Sequence, residues 1–282
     1  MRTTTVRHFL FGYGSLINPQ SRAITVPSLK DQQSIAVSVK GLKRSWCARV
    51  GDDTASSSSY RRMTAVGVQW IMEDDDDDDD HVEYPPDSVC NGVLIELQNQ
   101  KELELFDERE GPAYERVEIP LHLIRAFVSS DSDNSNNNNN NSNNEEEETD
   151  AKDTCPVWLP SNSNNDNDNE SEIKVWVYVI RRALPPNRVY PIAQSYVDII
   201  LQGCHTVAPG FANDFVKTTQ GWEATADNDD DDLDNTACWV NDRSKPLYIR
   251  ADPTYSSNMA EELDRLLERC QPVAFSKRTS GL

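Results

Sequence analysis

The residues from 6 to 16 read Val6-Arg7-His8-Phe9-Leu10-Phe11-Gly12-Tyr13-Gly14-Ser15-Leu16. The first eight alternate loosely and are rich in aromatics, which predicts a strand; Gly14-Ser15, which follow, predict a tight loop at its end. Working outward, strands are expected over 34–39, over 64–72 with Val66, Val68 and Trp70 on one face, and over 90–97 with Val93, Ile95 and Leu97 in phase. Residues 99–109 have helical spacing, with Leu103 and Phe106 one turn apart. Residues 115–127 are strand-like, and Pro120 marks an edge or a bend. Over 173–181, Val175, Val177 and Val179 stand opposite Trp176, Tyr178 and Ile180; a strand apolar on both faces is expected in the middle of a sheet. Helical stripes follow over 191–203, 210–218 and 259–269. Strands dominate early and helices late, without a regular βαβ rhythm. That order predicts an α+β fold, a compact mixed β-barrel-like sheet flanked by helices.

The chain has 282 residues and a formal net charge of −21. The charge is unevenly placed. Four Asp-, Glu-, Asn- and Ser-rich runs, at 73–80, 131–150, 161–172 and 223–235, contain more than half of the 48 acidic residues and no Lys or Arg. Such runs cannot bury enough apolar surface to order themselves, and they read as solvated loop insertions at 73–80, 131–172 and 223–235. A short apolar patch, Pro156-Val157-Trp158-Leu159, interrupts the longest of them. Extra loop length costs little closure entropy, so a fold tolerates such insertions. The rest of the chain keeps all 27 Lys and Arg and is slightly basic. It offers no strongly charged surface for nucleic acid. The expected organisation is one domain over 1–250, interrupted by these insertions, and a helical extension over 251–282.

The six cysteines are widely spaced, none in a CxxC pair, and the four histidines are scattered. This pattern predicts reduced, mostly buried thiols and no metal site. No apolar run approaches the length of a membrane span, and residues 1–8 are too short and polar for a signal peptide. A cytoplasmic location is expected.

Two motifs bear on chemistry. In Phe11-Gly12-Tyr13-Gly14-Ser15-Leu16, glycines at a strand end let backbone N–H groups approach a ligand, and successive N–H groups suit a carboxylate or an oxyanion. An ordinary turn uses the same residues. The second motif is Phe106-Asp107-Glu108-Arg109-Glu110-Gly111-Pro112-Ala113-Tyr114-Glu115-Arg116. Gly111 can end the helix and Pro112 prevents its continuation, so a side chain at that junction can point into the concave side of the sheet. Spacing alone does not choose among Asp107, Glu108, Glu110 and Glu115, and a solvated helix end would carry the same charges.

Taken together and in this order, these motifs resemble the gamma-glutamylcyclotransferase-like family. The resembling residues are Tyr13-Gly14-Ser15-Leu16, then Asp107 and Glu110-Gly111, then an aromatic at Tyr114 and Arg116 opening a strand. Tyr196-Val197-Asp198-Ile199-Ile200-Leu201-Gln202-Gly203 is similar to a late helix of that family. Trp239-Val240-Asn241-Asp242-Arg243, with Pro246 and Tyr248, is similar to a C-terminal extension of some members. The resemblance covers most of residues 6–250 apart from the acidic runs. It implies a β-barrel flanked by helices and a small-molecule gamma-glutamyl substrate cyclised to 5-oxoproline with release of an amine, amino acid or peptide. It also implies no cofactor. Glu110 is implied as the acid/base residue, and Tyr13, Gly14, Ser15, Leu16, Tyr114 and Tyr196 as the substrate pocket. A binding module without catalysis, and a hydrolase or transferase acting on gamma-glutamyl amides, are the alternative readings.

Other side chains weigh less. Ser15 has no recognisable His or Lys to activate it. Cys204 and His205 are adjacent, and neighbours on a helix do not face each other. Arg44, Arg61 and Arg62 are candidates for a substrate carboxylate, although such residues are more often surface charges. Arg243 reads as a residue that locks a loop.

Overall fold

A computed structural model describes residues 6–51, 62–71, 88–130, 172–223, 238–248 and 253–280, with the backbone alone over 253–257. The acidic and Asn-rich runs lie outside the described residues apart from Glu172 and Glu223. So do the patch at 156–159, the last residue of the strand expected to reach Met72, and Arg61.

The opening stretch forms β1 (Val6–Gly12), whose last residues, from Phe9 on, are buried. Its neighbours are β5 (Val89–Leu97), antiparallel with Leu10 opposite Ile95, and β8 (Glu172–Ile180), parallel with Phe9 opposite Val175. Outside them lie β2 (Ile35–Lys40), β6 (Tyr114–Glu118) and β7 (Ile124–Ala126), which complete a six-stranded sheet in the order β6-β8-β1-β5-β2-β7. β8 is interior, as its two apolar faces predict. The expected strand over 115–127 divides at Pro120 into β6 and β7.

A second sheet of five strands contains β3 (Leu42–Val50), β4 (Met63–Trp70), β9 (Ile192–Ala193), β10 (Trp239–Asn241) and β11 (Thr279–Ser280), in the order β11-β10-β9-β4-β3. The barrel-like arrangement is therefore made of two mixed sheets. They meet where β4 passes β8: a Cβ on Gly67 would lie 3.3 Å from the Cβ of Ile180. β3 has no counterpart among the expected elements, for two reasons. Arg44 occupies a buried position, and a bulge between Trp46 and Ala48 puts Trp46, Cys47 and Ala48 all in the core. Both features break the period of two on which strand recognition rests.

The helices cover what the sheets leave open. α1 (Pro19–Ala23) is started by Asn18, whose side chain accepts hydrogen bonds from the N–H groups of Gln20 and Ser21. α2 (Gln100–Glu110) is started by Asn99 in the same way, and Glu102 returns a bond to the N–H of Gln98 at 2.8 Å. Leu103 and Phe106 bury its inner face. α3 (Gln194–His205) begins later than the expected 191. Ile192 is extended instead, pairing with Thr64 of β4 and Trp239 of β10 and donating its N–H to Cys238 O at 2.7 Å. α4 (Phe211–Thr218), α5 (Pro253–Cys270) and α6 (Pro272–Ser276) follow. Leu263 and Leu267 of α5 are fully buried in the same core as β1 and β5.

Arg243 locks this corner. It pairs with Asp198 of α3 at 2.7 Å and with Asp264 of α5 at 2.8 Å, and Asp264 also takes Arg278 at 3.0 Å.

The contact that positions the loop after β1 is made by α3. A Cβ on Gly203 would lie 2.6 Å from the backbone nitrogen of Asn18 and 2.9 Å from the carbonyl carbon of Ile17. The helix touches the loop's backbone directly because position 203 has no side chain. Asn18 Nδ2 adds a hydrogen bond of 2.9 Å to Ile199 O. The substitution Gly203→Ala sets a helix-propensity gain of about 1 kcal/mol against overpacking of about 1–3 kcal/mol onto backbone that cannot swing aside. The expected result is a lower melting temperature, by roughly 2–4 °C per kcal/mol of net loss. An unchanged or raised melting temperature contradicts the close contact.

Candidate active site

Beyond β1 the chain runs through Tyr13 and Gly14 into a single 3-10 turn, Ser15–Ile17. The first N–H groups of such a turn have no acceptor within it, and no side chain caps this one. Gly14 lies under Val66 and Tyr196: a Cβ there would come 2.8 Å from Val66 Cγ2 and 3.2 Å from the Tyr196 hydroxyl. The backbone at Gly14 is thus bare and tightly covered on one side.

Across from this loop, α2 ends at Glu110. Gly111 adopts φ +67°, a left-handed value that favours glycine, and its N–H bonds Asp107 O. Pro112 follows, and Tyr114 opens β6. The Glu110 side chain retains 19% of its exposure. A narrow pocket, about 40 Å³ in volume, lies between the two motifs. Its walls include Tyr13, Gly14, Ser15, Leu16, Glu110, Tyr114 and Tyr196, so all seven residues singled out in the sequence come together. Phe11, Val66 and Tyr178 complete it. Tyr178 escaped notice because it sits on a strand whose alternation reads as pure core. Only its phenol, ending among buried neighbours, distinguishes it from the valines beside it.

The four tyrosines differ in their bonds. The Tyr13 hydroxyl donates to Tyr178 O at 2.6 Å, and the Tyr178 hydroxyl donates to Asp107 Oδ1 at 2.8 Å. Asp107 is in turn paired with Arg116 at 2.6 Å. Tyr196 packs edge-on against Tyr248 and shares the pocket wall with Ser15. Burial raises the pKa of Tyr13, Tyr114 and Tyr196, and the negative charge of Glu110 raises each further. Burial and the bond to Asp107 do the same for Tyr178. All four are neutral at ordinary pH. They can donate hydrogen bonds but cannot serve as bases, which leaves Glu110 as the acid/base candidate among the described wall residues.

Arg109 stands behind this wall. Its Nη2 donates to Ser15 Oγ at 3.0 Å and its Nη1 to Thr25 Oγ1 at 2.9 Å, while Nε lies 3.3 Å from Glu110 Oε1. Arg44 is neither a surface charge nor a carboxylate ligand. It is 1% exposed and donates to Asn91 O, Asn91 Oδ1, Phe215 O, Thr218 Oγ1 and Thr219 Oγ1, with a longer contact of 3.4 Å to Tyr13 O. These neutral acceptors, and the Phe215 ring 3.8 Å from its guanidinium carbon, hold it inside the fold. Arg62 is exposed, 5.8 Å from the Tyr190 ring centre. Cys204 is buried while His205 is partly exposed, 3.9 Å from Glu262, so the two diverge as their adjacency predicts. Among the described residues, no three His, Cys, Asp or Glu side chains are grouped to hold a metal ion, and no helix is long and apolar enough to cross a membrane.

The buried phenols make stability depend on alkaline pH. A tyrosine whose pKa is raised on folding contributes stability that is full below its unfolded value, near 10. That contribution is lost as pH climbs from there toward the folded value, because the unfolded chain releases its proton first. Spectrophotometric titration is expected to show that Tyr13, Tyr114, Tyr178 and Tyr196 stay protonated past pH 10 until the protein unfolds. All nine tyrosines ionising together near pH 10 in the folded protein would contradict the pocket.

No protein-family model matches the chain, and no curated protein matches it. Solved structures do. An uncharacterized protein from Homo sapiens is similar at 12% identity and a TM-score of 0.41, over 74% of this chain and 86% of that one. A gamma-glutamyl cyclotransferase is similar at 13% identity and a TM-score of 0.39, over 80% of this chain and 92% of that one. A gamma-glutamyl cyclotransferase specific to glutathione, from yeast, is similar at 13% identity and a TM-score of 0.33, over 75% and 84%.

Proposed function

We propose that this protein cyclises the gamma-glutamyl group of a gamma-glutamyl amine, amino acid or peptide to 5-oxoproline, releasing the amine. The observation that carries the reading is the meeting of the Glu110 carboxylate and the Tyr13–Leu16 backbone in one small, phenol-walled pocket.

The chemistry needs little else. A gamma-glutamyl amide holds its own nucleophile, the alpha-amine. Attack on the gamma-carbonyl forms the ring carbon–nitrogen bond, and collapse of the tetrahedral centre breaks the bond to the leaving nitrogen. The ring nitrogen starts as an ammonium and gives up two protons; the departing amine takes up two, so neither water nor net acid is consumed. Folding the substrate into a reactive pose supplies roughly 7–11 kcal/mol of barrier reduction. In this reading Glu110 pairs with the alpha-ammonium, accepts its proton and passes it to the leaving nitrogen, a contribution of about 10²–10⁴-fold. N–H groups of the turn at Ser15 and Leu16 receive the developing oxyanion. Tyr13, Tyr114 and Tyr196 line the pocket as neutral groups, so they do not compete with the substrate ammonium for a proton.

Incubation with a panel of gamma-glutamyl amines, amino acids and peptides, with mass detection of 5-oxoproline, tests the reading. The wild type is expected to yield 5-oxoproline from at least one of them. Glu110→Gln keeps the shape and is expected to lower kcat by at least about 10²-fold. Its melting temperature should change little, since a partly exposed ion pair contributes only about 0–1 kcal/mol. Full turnover by Glu110→Gln contradicts the role of Glu110. Free glutamate in place of the lactam contradicts cyclisation.

A further inference from the structure

Arg109 directly precedes Glu110, yet the reaction as written gives it no part. Its side chain is only 6% exposed. Nη1 reaches Ser21 O at 3.1 Å and Thr25 Oγ1 at 2.9 Å; Nη2 reaches Ser15 Oγ at 3.0 Å and Ser21 Oγ at 3.3 Å; Nε faces Glu110 Oε1 at 3.3 Å. A guanidinium is planar and its donors point in fixed directions. Contacts to three separate segments therefore fix its orientation. Ser15 Oγ accepts from Arg109. One rigid group thus links the carboxylate at the end of α2 to a wall of the cradle that lies 94 residues away in sequence.

We propose that Arg109 is the positioning residue of this site: anchored on Ser21 and Thr25, its guanidinium sets the distance between the Glu110 carboxylate and the Ser15 turn. This inference rests on the cyclisation reading above. The distance matters because a base misplaced by about 1 Å can cost on the order of 10²-fold in rate. The charge matters as well. Among the described residues, the other titratable groups of the pocket wall are Tyr13 after β1, Tyr114 of β6, Tyr178 of β8 and Tyr196 of α3, and all are neutral at ordinary pH. Arg109, with Nε 3.3 Å from Glu110 Oε1, is a cation that favours the ionised carboxylate.

Geometry and charge separate experimentally. The experiment measures kcat, KM and the pH profile of kcat/KM for Arg109→Lys, Arg109→Gln and Thr25→Val, with a gamma-glutamyl amide that the wild type cyclises. Melting temperatures are recorded alongside. Arg109→Lys keeps a charge but cannot span both partners; kcat should fall roughly tenfold with KM little changed and the acid limb in place. Arg109→Gln loses the charge too. Its kcat should fall by about 10²-fold, and the acid limb should move up by about one pH unit, since more base is needed to ionise the carboxylate. Thr25→Val removes one anchor outside the pocket and should lower kcat severalfold. A folded Arg109→Gln with the wild-type acid limb and kcat overturns the proposal. If that variant does not fold, Arg109→Lys and Thr25→Val with wild-type kcat overturn it equally. A wild type that releases no 5-oxoproline at all overturns the cyclisation reading itself, which the Arg109 variants alone cannot do.

Discussion

A turn of bare amide hydrogens can stabilise a developing charge only if its backbone is held still before the charge appears. Here that restraint comes from α3. Gly203 brings the helix into direct contact with the backbone of Ile17 and Asn18, and Asn18 Nδ2 reaches Ile199 O. Asn18 also starts α1, which contains Ser21, an anchor of Arg109. Restraint therefore passes from helix to turn to guanidinium to carboxylate without a flexible link. A side chain at position 203 would push on the first of these contacts and so on all of them.

The molecule spends several charged groups in its interior, and it treats them in two ways. Arg44 is satisfied by carbonyl and hydroxyl oxygens, behind the same loop that walls the pocket. Arg243 and Arg278 are satisfied by Asp198 and Asp264, and they fasten α3 to α5 and the C-terminal strand. Burying a cation is costly unless every donor finds a partner, and the partners here come from elements far apart in the chain. These groups weigh on specificity of packing as much as on stability, because removing one leaves its own buried partners unpaired. Glu110 differs from them: it is a carboxylate that stays partly open to solvent in a pocket walled mainly by phenols and apolar side chains.

Much of this was legible from residues alone. The alternation over 173–181 announced an interior strand, Asn99 and Gly111 bracketed α2, and Pro120 divided β6 from β7. The two motifs also pointed to segments that wall one pocket, although it took the family resemblance to choose Glu110 from four carboxylates. What stayed hidden shares a physical cause. β3 was missed because Arg44 sits on its inward face and a bulge interrupts its period. The start of α3 was misplaced because Ile192 fits a helical stripe and a short parallel strand equally well, and the partners that decide, Thr64 and Trp239, are remote. Tyr178 and Arg109 entered the site through hydrogen bonds between distant segments, which local patterns do not encode.

The most direct measurement is a crystal structure with an intact gamma-glutamyl compound bound to the Glu110→Gln protein. The account predicts its alpha-nitrogen at hydrogen-bond distance from residue 110 and its gamma-carbonyl oxygen turned to the N–H groups at Ser15 and Leu16. A ligand bound elsewhere, or one whose gamma-carbonyl faces solvent with the alpha-nitrogen far from residue 110, would contradict it.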